Sequence, residues 1–174
     1  GLGDIAQGQG DYWQLTRGGG HGDYRTLVLA PASVQENADL IYEAFDLAER
    51  YRHPVLIASD AAIGQMVEAI ELPQFLTHDI DKFDWTIKGC KHGDEHKKIQ
   101  NVYYTHPDYE TYLREKYEDM EATQQRYENI GVEDAQVVLV AYGISSRICR
   151  EAVEQARGMG MKVGLIRPIS LYPF

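Results

Sequence analysis

The sequence predicts an α/β fold built from parallel-sheet βαβ units, on three observations. Residues 26–59 and 137–166 each read strand, helix, strand with short turns between. Such units make a parallel sheet with a right-handed crossover. The run Val137-Val138-Leu139-Val140-Ala141 is continuously apolar, as in strands buried on both faces. The loop Gly18-Gly19-Gly20-His21-Gly22-Asp23 leads into the first strand. Glycine permits positive φ and close approach of backbone to a ligand. An imidazole and a carboxylate in such a loop mark where an α/β domain touches a small molecule.

Residues 1–22 lack sustained periodicity, apart from an apolar turn at Tyr12, Trp13 and Leu15. A short β-branched and apolar run over 26–30 predicts a buried strand, ended by Pro31. Ser33 and Glu36 have capping-box spacing. Ala38, Ile41, Phe45, Ala48 and Tyr51 follow at helical spacing, predicting an amphipathic helix over 34–51. Pro54 opens the next strand, 55–59. Asp60 falls at its carboxyl end, where open α/β sheets place their ligands. From 64 to about 101 the pattern dissolves. A structureless loop this long is unusual inside a compact domain, so the stretch reads as a connector that packs on a neighbour. Pro107 opens a charged helix to about residue 127, with Asp108 and Glu110 complementing its dipole. Tyr109, Tyr112, Leu113, Tyr117 and Met120 line one face of this strut. The second unit follows: the strand 137–141, a helix capped by Ser145 or Ser146 and carrying Ile148, Ala152, Val153 and Ala156, glycines 158 and 160 at its end, and a strand over 162–166 stopped by Pro168.

The 174 residues allow one or two small domains. The formal charge of −10 argues against nucleic-acid or anionic-membrane surfaces. The apolar runs are too short to span a bilayer. No signal peptide is read at the first residues, Gly-Leu-Gly-Asp. Cys90 and Cys149 are isolated, which points to a reducing, cytoplasmic setting. They provide too few thiolates for an iron–sulfur cluster held by this chain alone, since about four are usual. The chain starts on Gly without Met and stops at Pro173-Phe174, so the expectation is a fragment of a longer polypeptide.

The loop after Val140, Tyr142-Gly143-Ile144-Ser145-Ser146, lacks the G-x-G-x-x-G spacing of a dinucleotide site, and the loop at 18–22 has no following Lys-Ser or Lys-Thr for a P-loop. His92-Gly93-Asp94-Glu95-His96 matches H-x-x-E-H. Gly89 and Gly93 break the helix that motif needs, so a solvated polar loop is the reading rather than zinc. His21 and Asp23 are either a proton relay or ligand contact, or turn residues. Asp60 stands open in the same way.

Several stretches together resemble one family. They are Gly1-Leu2-Gly3, Gln9-Gly10-Asp11-Tyr12, the glycine-rich loop with Tyr24-Arg25, Val28-Leu29-Ala30-Pro31-Ala32-Ser33-Val34-Gln35-Glu36, Ala44-Phe45-Asp46-Leu47-Ala48-Glu49-Arg50-Tyr51-Arg52, and Gly164-Leu165-Ile166-Arg167-Pro168-Ile169-Ser170-Leu171-Tyr172-Pro173-Phe174. Their order and wording resemble the α subunit of 2-oxoacid:ferredoxin oxidoreductases, in the branch that handles 2-ketoisovalerate or 2-oxoglutarate. The resemblance implies a thiamin-diphosphate-binding, pyrimidine-domain fold followed by the start of a transketolase-C-terminal-like domain. Residues 1–65 would be the second half of the first, 66–130 a connector loop and strut helix, and 131–174 the start of the second.

The family oxidatively decarboxylates a 2-oxoacid with coenzyme A to acyl-CoA, carbon dioxide and reduced ferredoxin. The resemblance implies thiamine diphosphate with Mg2+ held mainly by a β subunit, and iron–sulfur clusters on γ and other partner subunits, none held by this chain. The family's catalytic glutamate and substrate arginine lie upstream of Gly1. Gly1, Leu2 and Gly3 are then the tail of the substrate loop, where Leu2 suits a branched acid, though such a contact discriminates only modestly. Gly18, Gly19, Gly20, Gly22 and Asp23 shape the wall of the site, with His21 as its proton-handling or hydrogen-bonding group. Two rival readings are a non-catalytic interaction or scaffold module and a nucleotide- or flavin-binding doubly wound domain. A sheet cut mid-domain leaves unpaired edges, so self-association is expected.

Overall fold

The computed structural model describes residues 10–18, 20–21, 24–75, 79, 81–90, 96 and 106–174. The chain divides into two compact units, residues 1–73 with 116–174, and residues 74–115.

In the first unit, α1 (Gly10–Thr16) precedes β1 (Leu27–Leu29), α2 (Val34–Tyr51), β2 (Val55–Ile57) and α3 (Ala61–Gln65). β1 and β2 pair in parallel, Leu27 opposite Val55, so the expected βαβ unit forms. β1 is the buried centre. Its side chains alternate between two faces, as a strand's must. Leu27 and Leu29 pack with Leu40, Leu47, Tyr51 and Met120, whereas Val28 and Ala30 pack with Leu171, Tyr12, Leu15 and Tyr142.

The helix 34–51 forms with the expected bounds, but its inward face is rotated from the expected stripe. Tyr51 of that stripe is buried, whereas Ile41 is 43% and Phe45 61% exposed, and Leu40 and Leu47 are buried instead. The capping box is also altered. The Ser33 hydroxyl accepts from the Glu36 N–H at 3.1 Å, yet the Glu36 carboxylate accepts from the Ala32 N–H at 2.7 Å rather than from Ser33. Glu36 is drawn aside because it also pairs with Arg167.

Helix α4 (Tyr109–Thr123) ends before residue 127, and its last residues bury Met120. An unexpected strand follows, β3 (Tyr127–Ile130), and with β4 (Val137–Val140), α5 (Gly143–Gly158) and β5 (Val163–Pro168) it makes a second sheet of order β3-β5-β4. β4 and β5 are parallel, as expected, and β3 is antiparallel to β5. β4 is therefore an edge strand. Its continuous apolar pattern predicts burial on both faces, but Val140 is 63% exposed and Val137 and Val138 are also exposed. The turn before β4 packs closely on β5. A Cβ at Gly164 would lie 2.7 Å from the Gly131 carbonyl oxygen.

Pro168 does not stop the chain's pairing. It is the last residue of β5, and β6 (Ser170–Tyr172) follows at once, antiparallel to β1. Residues 167–170 thus carry the chain from one sheet to the other. The Arg126 carbonyl accepts from the N–H groups of Ile169 and Ser170, at 2.8 and 3.1 Å.

In the second unit the described residues 79 and 81–90 form turns and irregular chain. Phe83 and Trp85 stack at 5.4 Å, and the Asp79 carboxylate accepts from the Asp81 N–H at 2.9 Å.

Candidate functional site

Of the residues expected to shape a site, Gly18, Gly20 and His21 are described; Gly1, Leu2, Gly3, Gly19, Gly22 and Asp23 lie outside the described residues. The glycine loop connects the end of α1 to the start of β1, and its two stems are tied together. Thr26 Oγ1 donates across them to the Leu15 carbonyl at 3.0 Å, while Thr16 Oγ1 donates within α1 to the Tyr12 carbonyl at 2.7 Å. Gly18 takes φ +82, a conformation that strains any residue with a Cβ. Gly18 and Gly20 both lie against the Tyr24 side chain: added Cβ atoms would sit 3.8 Å from its Cζ and its hydroxyl respectively. His21 is exposed. Arg17, beside the loop, lies over the Trp13 ring at 5.0 Å.

At the opposite end of the sheet, Asp60 has both carboxylate oxygens occupied. Oδ1 accepts from the Ile63 N–H at 2.9 Å and so caps α3; Oδ2 accepts from the Ile144 N–H at 2.7 Å in the first turn of α5. The cap residue of α5 is Tyr142, which gives no side-chain hydrogen bond, so the expected role of Ser145 or Ser146 is taken by Asp60. Ser146 instead donates to the Gly143 carbonyl at 2.7 Å. A distant carboxylate does here what a local hydroxyl does elsewhere, because a helix's first N–H groups and dipole favour an anion. Tyr142 stacks on Tyr12 at 6.2 Å. Burial, with Tyr12, Asp11 and Asp60 nearby, pushes its phenol above the ordinary value.

A cleft of about 480 Å³ opens between α2 and α5, lined in part by Glu36, Glu128, Arg147, Arg150 and Arg167. The Arg167 side chain is only 6% exposed. It donates to Glu36 and, at 3.0 Å, to Glu128, which also accepts from Arg150 at 2.7 Å. Burial would lower the Arg167 value, but the Glu36 and Glu128 carboxylates more than offset it and hold the guanidinium charged. Arg147 pairs with Glu68 at 2.9 Å. These arginines are matched by carboxylates, so the cleft offers little unbalanced positive charge to an anionic ligand. Nothing in the sequence flags this network: Glu36 and Arg167 are 131 residues apart.

Among the described residues no group of three or more His, Cys, Asp and Glu could hold a metal ion. Of the H-x-x-E-H motif, His92, Gly93, Asp94 and Glu95 lie outside the described residues. His96 is exposed, with Cys90 Sγ 3.9 Å from its Nε2.

The family model described as "Pyruvate flavodoxin/ferredoxin oxidoreductase, thiamine diP-bdg" matches residues 3–135, and "Pyruvate:ferredoxin oxidoreductase core domain II" matches residues 135–174. The chain belongs to the pyruvate flavodoxin/ferredoxin oxidoreductase family, in its thiamine diphosphate-binding part. It is 47% identical, over all of its length and 50% of the relative's, to "Ketoisovalerate oxidoreductase subunit VorB" of Methanothermobacter thermautotrophicus. It is 34% identical, over 95% of its length and 52% of the relative's, to "2-oxoglutarate synthase subunit KorA" of Methanocaldococcus jannaschii. The chain thus spans about half the length of the curated relatives it matches. The fold resembles that of a 2-oxoglutarate:ferredoxin oxidoreductase from Magnetococcus marinus, solved with 2-oxoglutarate, coenzyme A and succinyl-CoA bound, with a TM-score of 0.68, 21% identity, and coverage of 95% of this chain and 34% of that one.

The described donor set tests how thiamine diphosphate would fit. The loop offers an exposed imidazole, glycine backbone and the Tyr24 phenol. That chemistry suits the uncharged ring of the cofactor. Among its described residues the loop has no cation and no carboxylate cluster of the kind that a diphosphate and its metal need.

Proposed function

We propose that this chain is part of the α subunit of a 2-oxoacid:ferredoxin oxidoreductase, which oxidatively decarboxylates 2-ketoisovalerate or a related 2-oxoacid with coenzyme A to acyl-CoA, carbon dioxide and reduced ferredoxin. The observation that carries this is the 47% identity, across the whole chain, to a ketoisovalerate oxidoreductase subunit. Residues 1–65 are the second half of the pyrimidine-type domain, 66–130 the connector and strut, and 131–174 the start of a transketolase-C-terminal-like domain. The meeting of the two family models at residue 135 supports the last of these boundaries.

Thiamine diphosphate, when bound, would supply the nucleophilic carbon for the 2-oxo group and a sink for the electron pair left by departing carbon dioxide. This chain contributes the wall. Gly1, Leu2, Gly3, Gly18, Gly19, Gly20, Gly22 and Asp23 shape it and exclude water, and His21 holds or passes a proton at the ring side. The β subunit holds the diphosphate and Mg2+, and iron–sulfur clusters on the γ and related subunits pass electrons to ferredoxin. The assembly is cytoplasmic. No helix among the described residues is long and apolar enough to cross a membrane.

The test is dye reduction under anaerobic conditions by the full-length chain co-expressed with its partner subunits. Viologen reduction that requires both an oxoacid and coenzyme A supports the reaction, and the ranking of 2-ketoisovalerate, 2-oxoglutarate and pyruvate names the substrate. No reduction by any acid, with cofactor and clusters present, points instead to a non-catalytic module. His21→Ala is expected to lower turnover by about a hundredfold, the lower end for loss of a positioned proton-transfer group. Unaltered turnover and Michaelis constant would remove His21 from that role.

A further inference from the structure

We propose that His53 is a positioning residue for the glycine loop: from the turn after α2 it pins the Arg25 carbonyl, at the exit of the loop that carries His21, and so fixes where that loop stands. The inference rests on the reading of this loop as a wall of the active site.

His53 follows Arg52, which ends α2 in the left-handed conformation at φ 46. That kink, held by bonds from the Arg52 N–H to the Ala48 and Glu49 carbonyls, turns the chain back toward the amino end of β1. His53 Nε2 there meets the Arg25 carbonyl oxygen. A carbonyl only accepts, so Nε2 carries the proton. The ring is half-buried and stands edge-on to Tyr117 of α4, with centroids 5.9 Å apart. Its plane is thus set by packing as well as by the hydrogen bond. Arg25 is the residue before Thr26, whose hydroxyl ties the loop's exit to the end of α1. The exit therefore has adjacent fixings on two sides, from Leu15 of α1 and from His53.

Exposed loops built on glycine are entropically costly to hold in one arrangement. Fixing both stems is what keeps an apical residue such as His21 within the narrow tolerance that a reacting group demands. The neutral ring is also the favoured form. Burial and the Lys116 ammonium lower the His53 value, opposed by the bond to Arg25.

The test uses the full-length chain in its complex, with variants that separate the donor from the packing. His53→Phe keeps a ring against Tyr117 and removes the donor. His53→Gln places an amide N–H near the position of Nε2, and His53→Asn places one too short to reach. Hydrogen exchange of the backbone amides at residues 24–27 is expected to quicken roughly tenfold in His53→Phe and His53→Asn, the value of one hydrogen bond, and to stay near wild type in His53→Gln. Dye-reduction kinetics are expected to follow the same order, with turnover falling in Phe and Asn and recovering in Gln. If His53→Phe fails to assemble, the Gln and Asn pair decides alone. Equal exchange in Gln and Asn, or no change in either, overturns the proposal. A wild-type complex that reduces no dye overturns the enzymatic reading instead, while the exchange data still decide whether His53 holds the loop.

Discussion

Gly143 shows how tightly one position can be determined. It sits at φ +59, and a Cβ there would lie 2.5 Å from Asp60 Oδ2. Backbone conformation and space both demand glycine, and the carboxylate that would be displaced serves two helix starts. Gly143→Ala is expected to cost about 3 kcal/mol, combining backbone strain with disruption of a charged cap. Thermal unfolding of the variant against wild type checks it. His53 makes a second prediction, in pH. Its ordinary value is 6.5 and burial with Lys116 lowers it in the folded chain. Below 6.5 the unfolded state binds more protons than the folded one, so stability rises with pH in that window. This contribution is complete above about pH 7.5 and declines as pH falls below 6.5. The His53→Gln variant is expected to lose that part of the slope, read from thermal midpoints across the range about pH 5 to about pH 8.

Helix α2 illustrates what pattern can and cannot fix at the scale of an element. Its bounds follow from Pro31, Ser33 and the apolar spacing, and they form as expected. Its inward face does not follow. Ile41 and Phe45 lie about 100° and 140° around the helix from Leu40, so the apolar residues spread over two faces, and the position of β1 and Met120 selects between them. Leu47→Ala is expected to cost about 2–4 kcal/mol as a core truncation, within the usual range of about 2–5 for such changes. Phe45→Ala is expected to cost less than about 1 kcal/mol, because it is already largely in solvent. Comparable losses in unfolding experiments on the two variants would refute this choice of face. Strand β6 is a harder case still. Three residues just after Pro168 gave no sign of a strand, and they form one only because β1 offers them an open edge.

For the first unit as a whole, the main feature is two small mixed sheets, each with one buried central strand, β1 or β5. Mixed pairing comes from the antiparallel additions β6 and β3, which lie outside the βαβ units. Among the described residues it leaves β4 with an open edge and exposed valines. Exposed apolar edges template association. The chain by itself is expected to self-associate, and Val138→Lys to shift it toward monomer, since a lysine on an edge blocks pairing. Sedimentation velocity of both checks this; a wild-type chain that stays monomeric at high concentration would count against the edge as the cause.

Local chemistry did not determine the added strands β3 and β6, but it determined the elements of the two βαβ units. Prolines and glycines fixed their ends, apolar spacing fixed their type, and the wording of the glycine loop and of the Arg167-Pro168-Ile169 stretch carried the family resemblance. Each of these is a property of neighbours along the chain, so it is legible without a fold. Tertiary structure alone decided which side of α2 is core, that β4 lies at an edge, that Asp60 caps two helices, and that Glu36 leaves its capping box for Arg167. Those outcomes depend on partners up to 131 residues away. A carboxylate or an isoleucine has no preference among partners until folding brings one within reach, and burial then decides which pairing is worth most.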